Sequence, residues 1–423
     1  MIATSGRAPV AMLTHSYYEE DPRVRREAEA LVAGGRPVDV FALRQPGDAR
    51  DGVVAGVTVH RLDVQRHQGA GLATYLREYL SFLGRAGIAA TRAHRRRSYG
   101  LVQVHTLPDF LAAAGLPLRL RGVPLVLDLH EAMPEFFRAR FPRAANPVAY
   151  RLLRIQERIS IGMASQVLTV NDALAARLLA LGVPAAKVTV IANSPVLTLF
   201  DPSVAPERAF AADGVVRLVY AGALSPTYEL DVALAALARI AELRPNQPIH
   251  LDVYGRDFGE EPLATLAERL GVGEHVTFHG RVPLEDVPAA IAAADIGLAP
   301  TRRNPFTDLS LSTKVFEYAA MRKPVVASRL PLIESTFGVD AVATYEPGDP
   351  DSLARAVLAL VDDAPAREAR VARTAAIVSD HSWEREAERY RALIDRLAAR
   401  HDGHARSAAR LQPDAERGDS AAE

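Results

Sequence analysis

Two segments of the chain set charged and hydroxyl-bearing side chains directly after apolar runs, where a buried strand would end. The first is Leu125-Val126-Leu127-Asp128-Leu129-His130-Glu131-Ala132-Met133-Pro134-Glu135. A histidine at a strand tip can exchange a proton or hydrogen-bond a polar substrate near neutral pH, and Glu131 and Glu135 can orient a hydroxyl nucleophile. The second is Ser312-Thr313-Lys314-Val315-Phe316-Glu317, which follows the apolar run Ile296 to Ala299 and a polar loop. Ser310 or Ser312 can cap a helix here, leaving its first N–H groups free to hold an anion such as a diphosphate. Lys314 falls in that first turn and Glu317, three residues on, shares its face. A cation beside phosphates and a carboxylate accepting from ribose hydroxyls suit a nucleoside diphosphate sugar; the plainer reading is a surface ion pair with ordinary capping.

The elements that must position these residues follow from periodicity. Short β-branched runs alternate with 3.6-period segments, the pattern of parallel strands joined by crossover helices, so the fold class is α/β. Strands are expected at Val10 to Leu13, Val38 to Leu43, Val57 to Leu62, Leu101 to His105, Leu125 to Leu129, Gln166 to Val170 and Val188 to Ile191. A second series runs through Val215 to Tyr220, Ile249 to Tyr254, Val276 to Phe278, Ile296 to Ala299, Pro324 to Ala327 and Val342 to Tyr345. The chain has 423 residues, beyond the roughly 250 to 300 at which single cores stop growing. Two Rossmann-like domains are therefore expected, residues 1–195 and 213–380, joined by a Pro-rich linker at 196–212. An amphipathic helix containing Trp383 should follow at 381–400 and a disordered tail at 401–423.

Ligands of open parallel sheets bind beyond the carboxyl ends of the strands. That rule points to His15 after the first strand, His105 at another strand tip, Arg256 after the Tyr254-Gly255 strand end, and Arg302 with Arg303 after Pro300. Asp21 and Pro22 read as the cap and first residue of a helix, which leaves Arg23 unexplained.

Composition narrows the chemistry. A formal net charge of -1 implies no nucleic-acid partner, and the absence of cysteine excludes thiolate sites and fits a reducing cytoplasm. No apolar stretch reaches about 18 residues, and Met1 to Val10 lacks the apolar region of a secretory signal, so a protein neither exported nor membrane-spanning is expected. Neither Gly-x-Gly-x-x-Gly nor Gly-x4-Gly-Lys follows a strand. Only Lys187, Lys314 and Lys323 are lysines. The arginines 92 and 95 to 97, after the amphipathic stretch Leu72 to Ile88, suit either peripheral contact with an anionic membrane or a solvated helix end.

The segment from Ser312 to Ser328, with its Glu317 and Pro324-Val325-Val326, resembles glycosyltransferase family 4. Glu317 matches the second glutamate of that family's Glu-x7-Glu motif, which contacts the donor ribose; Leu309 stands at the first, flanked by Asp308 and Ser310. The resemblance implies that Ser312, Thr313 and Lys314 lie at the donor pyrophosphate. Ala221 to Asp231 aligns with a Gly-Arg-Leu and Lys-Gly segment but has Ala223 for the arginine and Tyr228 for the lysine, so replacement charge is expected from Arg256, Arg302 or Arg303. Asp128 to Glu135 is similar to an Asp-x-His-Glu-x-x-Pro-Glu segment of one subgroup, which brings His130 to the anomeric centre. His105 to Asp109 is similar to a loop lining the cleft, and Asp21 to Ala28 to an Asp-x-Arg-Val-x-x-Glu-Ala entry that lets Arg23 reach the donor. Asn193-Ser194-Pro195 and His381-Ser382-Trp383-Glu384 extend the likeness over residues 10 to 400, and the last helix is implied to return to the N-terminal domain.

Membership implies a GT-B fold, with two domains facing across a cleft and the Glu317 helix opposite His130. It implies a retaining, metal-independent hexosyltransferase with His130 and Glu131 at the reacting centre. Gly222, Gly255 and Glu317 belong to the donor side, and His15, His105, Asp109 and Glu135 to the acceptor side. The nucleotide sugar is a co-substrate rather than a cofactor, and the acceptor is a glycan, a lipid-linked glycan or a small molecule. Two other readings stay open: a silent nucleotide-sugar-binding partner of a transferase, and a GT-B-fold epimerase.

Overall fold

A computed structural model describes residues 7–65, 71–206, 208–257 and 262–410. The chain divides into two compact units, Met1–Ile191 with Ala387–Glu423, and Ala192–Glu386.

The first unit is built on β1 (Val10–Leu13), β2 (Val38–Leu43), β3 (Asp51–Val54), β4 (Val57–Leu62), β5 (Leu101–His105), β6 (Leu125–Leu129), β7 (Gln166–Thr169) and β8 (Val188–Val190). They form one sheet in the order β3-β4-β2-β1-β5-β6-β7-β8, parallel except for β3. Strands β1, β2, β5 and β6 are buried at every position, as continuous apolar runs covered by helices on both faces must be. Sequence periodicity overlooked β3. It pairs antiparallel with β4 through Ala55 and Gly56, both at positive φ (47° and 81°), and Ala-Gly lacks the asparagine or aspartate that normally announces such a turn.

The second unit carries β9 (Val216–Ala221), β10 (Ile249–Tyr254), β11 (Val276–Gly280), β12 (Ile296–Ala299), β13 (Val325–Ser328) and β14 (Ala343–Tyr345). This sheet is wholly parallel, in the order β11-β10-β9-β12-β13-β14. The 196–212 segment is not a free linker. Phe200 is buried in the second core, and Asp295 accepts hydrogen bonds from Arg208 (2.7 Å), the Ala211 amide (3.0 Å) and the Arg217 amide (2.8 Å).

The last helix spans Trp383–Arg410. From residue 387 onward it belongs to the first unit, where the Tyr390 hydroxyl donates to Gln103 Oε1 at 2.7 Å and Arg36 grips Asp395 at 2.8 Å. The helix continues to Arg410, past residue 400 where a disordered tail is expected. Of that expected tail, residues 411–423 lie outside the described residues.

Helix Thr313–Ala320 packs over β12 through Tyr318, which is fully buried and whose hydroxyl accepts from the Ala221 amide at 3.1 Å. A Cβ on Gly297 would stand 2.4 Å from the Tyr318 ring. Gly297→Ala should therefore cost about 1–3 kcal/mol by overpacking, seen as a lower denaturant midpoint for the second unit; an unchanged midpoint would contradict this packing.

Candidate functional site

In the first unit the polar residues converge at the carboxyl ends of β5 and β6. The Asp128 carboxylate has no solvent exposure and receives four donors. Arg23, from helix Pro22–Ala33, gives Nη2 to Oδ1 at 2.8 Å and Nε to Oδ2 at 3.1 Å. His105 Nδ1 lies 3.0 Å and His130 Nε2 2.9 Å from Oδ2. Burial alone would raise the Asp128 pKa, but Arg23, His130 and the histidine hydrogen bonds hold it well below the usual carboxylate range. An ionised carboxylate only accepts, so His105 carries its proton on Nδ1 and His130 on Nε2. Burial would lower the His105 pKa, but the bond to Asp128 and the charges of Asp128 and Glu27 raise it overall. Glu27, also fully buried, is pushed upward by burial and by the Asp128 charge. It pairs with Arg23 at 3.2 Å and accepts from Gln103 Nε2 at 2.7 Å.

Of this cluster, His130 is the member that reaches solvent, its side chain 19% exposed against 1% for His105. Glu131 stands next to it, partly exposed, with its carboxyl pushed up to about 7 by burial. The other expected residues of this unit are turned inward. Arg23, expected at the donor, is buried and spent on Asp128 and the Ile191 carbonyl. His15 is buried edge-on against the rings of Tyr79 and Phe82. Asp109 is fully enclosed, and burial together with the Glu157 charge raises its pKa well above the ordinary value. Glu135, partly exposed, joins Glu157 and Tyr150 around Arg177 and so ties helices together.

Among the described residues, only His105, Asp128 and His130 bring three ligand-type atoms within 4.8 Å of one another. Arg23 already engages both Asp128 oxygens, so a cation there would stand against a guanidinium.

In the second unit the strand tips of β9 and β10 meet at Gly222 and Gly255, with φ of +149° and +152°. A Cβ on Gly255 would lie 1.9 Å from the Gly222 carbonyl oxygen, so only glycine fits there; at Gly222 the positive φ favours glycine, and a Cβ would lie 2.4 Å from the movable Lys314 Cε. The space admits the Lys314 side chain, whose ammonium sits 4.0 Å from the Tyr228 ring centre and 5.2 Å from that of Tyr220. Ser312, at the helix N-cap, makes no capping bond with its own helix; Thr313 opens the helix and Glu317 follows one turn on, partly buried. The expected substitutes for the lost cations are otherwise placed. Arg302 is bound to Asp231 (2.9 Å) and the Pro226 carbonyl (3.2 Å), Arg303 is bound to Asp308 (3.2 Å), and Arg256 is exposed beside Gly255. The residues flanking Leu309 are committed too, since Asp308 holds Arg303 and the Ser310 hydroxyl donates to the Phe306 carbonyl at 3.2 Å.

Sequence reasoning missed Asp128 as the hub, and Tyr220 and Tyr228 as the seat of Lys314. For Asp128 a signal existed: an acid inside an otherwise apolar strand requires a buried partner.

Two parallel-sheet α/β units, each with its polar residues beyond the carboxyl ends of its strands, define a GT-B fold. The chain is similar in structure to sucrose-phosphate synthase from Thermosynechococcus elongatus (20% identity, 93% of this chain and 100% of that one, TM-score 0.74). It is also similar to Anabaena Alr3699/HepE in complex with UDP and glucose (18%, 90% and 98%, 0.64) and to a glycosyltransferase from Rickettsia africae (12%, 93% and 99%, 0.66). No curated protein matches the sequence. The particular family follows from the sequence profiles: the chain belongs to the family 4 type of glycosyltransferases, with a Glycosyl transferase 4-like domain at residues 21–194 and a Glycosyl transferases group 1 domain at 216–363.

Asp128→Asn should cost about 3 kcal/mol at neutral pH, because it weakens the partner of a buried guanidinium. A depressed pKa supplies stability that is complete above the unfolded value of about 3.9 and is lost as pH falls through the folded value. The gap between wild type and variant should therefore begin to narrow below about pH 4 and close as pH falls through the lower, folded value. A gap independent of pH in urea titrations would refute the ionised hub.

Proposed function

We propose that the chain transfers a sugar from a nucleoside diphosphate sugar to a hydroxyl of a glycan, lipid-linked or small-molecule acceptor, with retained anomeric configuration and without a metal ion. The observation that carries this reading is the Lys314 ammonium, held beside Gly222 at a sheet's carboxyl edge in the first turn of a helix. A fixed cation and free helix N–H groups are what a departing diphosphate needs. Lys314 thus replaces in space the charges that Ala223 and Tyr228 lack in sequence. In this reading Ser312 and Thr313 bind diphosphate oxygens and Glu317 accepts from the ribose. Support comes from the Anabaena protein, which was solved with UDP and with UDP-glucose.

The first unit supplies His130 to the reacting sugar. As the C1–O bond to diphosphate breaks, positive charge develops at C1; the acceptor oxygen bonds to C1 on the same face and gives up its proton to the departing diphosphate oxygen. Glu131, which titrates near neutrality, is the carboxylate that orients this hydroxyl. A reducing, cytoplasmic setting accords with a chain without cysteine. A silent partner protein is the second reading, motivated by Ala223, Tyr228 and Leu309, and turnover by the purified chain alone would exclude it.

His130→Ala should reduce turnover at least about 100-fold with nucleotide affinity unchanged, whereas Glu317→Ala should weaken nucleotide binding roughly tenfold or more. Calorimetry and a transfer assay showing the reverse pattern would reject the assigned roles. If ionised Glu131 is required, kcat rises through about pH 7, and Glu131→Gln should remove that limb; an unaltered profile would exclude Glu131. Chelator treatment should leave the rate unchanged, and NMR of the first product formed should show the donor's anomeric configuration.

A further inference from the structure

Helix Pro147–Met163 of the first unit presents an apolar stripe on its outward side. Val148, Leu152, Ile155 and Ile159 are 68, 61, 46 and 58% exposed, while Glu157, Ser160 and Ile161 on the other side are buried. At 100° per residue the four exposed residues fall within a sector of about 60°, opposite the buried face. Single exposed hydrophobes are ordinary, but a helix that turns such a stripe to water is missing an apolar neighbour.

The charges around the stripe have one sign. Arg143, Arg151, Arg154 and Arg158 make no ion pair among the described residues. The acid of the same helix, Glu157, is buried against Arg177. The basic run expected to meet a membrane, at Arg92 to Arg97, is a weaker candidate, since Arg97 is held by both oxygens of Asp39 at 3.0 and 2.7 Å.

We infer that this helix docks the protein on an anionic lipid bilayer, with the stripe in the headgroup boundary and the arginines against lipid phosphates. A second copy of the chain fits less well, because an isologous contact would set these arginines against one another. A helix with leucine and isoleucine on one side and arginine along the flank has the composition of an interfacial helix. The inference does not depend on the donor or acceptor, so it stands or falls separately from the transfer reaction.

The test is cosedimentation of the full chain with vesicles of phosphatidylglycerol and phosphatidylcholine, and of phosphatidylcholine alone, at low and high salt. The wild type should bind the anionic vesicles at low salt and release at high salt. Leu152→Ser with Ile159→Ser, and separately Arg151→Ala with Arg158→Ala, should each lower the partition coefficient roughly tenfold or more with melting temperature unchanged. Absence of binding, binding by both variants equal to that of the wild type, or a dimer in sedimentation velocity that the same substitutions dissociate would overturn the inference.

Discussion

A buried carboxylate must be paired or it will not stay charged, and the first unit is arranged around one, Asp128. Its oxygens take Arg23 from the helix after β1, His105 from the tip of β5 and His130 from just beyond β6. Arg23 also reaches the Ile191 carbonyl beyond β8 and pairs with Glu27, which leads through Gln103 to Tyr390 on the last helix. This network thus ties together the ends of β5, β6 and β8, the helix after β1, and a helix more than 250 residues downstream in sequence. His130 inherits its orientation from this network rather than from its own loop.

The second unit meets a different constraint with backbone geometry. At Gly255 adjacent strand tips approach too closely for any side chain, and the lysine that lies against Gly222 is steadied by aromatic faces. Among the described residues the ammonium has no carboxylate counter-ion, so cation–π contact leaves its charge unneutralised. A carboxylate partner would have neutralised it.

The α/β order and most strands were legible because a strand covered on both faces must be a continuous apolar run. The antiparallel edge strand was not, since its turn is Ala55-Gly56. His130 and Lys314 were legible as strand-tip and helix-start residues, and each lies at such a position. What the sequence hid is partnership. Arg23 and Asp128 are 105 residues apart, and nothing local shows that the arginine is used internally. Asp109 follows a strand tip as a binding residue would, yet the helices around it close it off. Tyr228 looked like a lost cation and is the seat of another one.

The ionised Asp128 hub fixes the proton positions on two imidazoles, and nitrogen-15 NMR of histidine-labelled protein reads those positions directly. The account predicts His105 as the less common Nδ1–H form and His130 as the Nε2–H form, with both resonances perturbed when the hub carboxylate is removed. His105 in the Nε2–H form, insensitive to that removal, would contradict it.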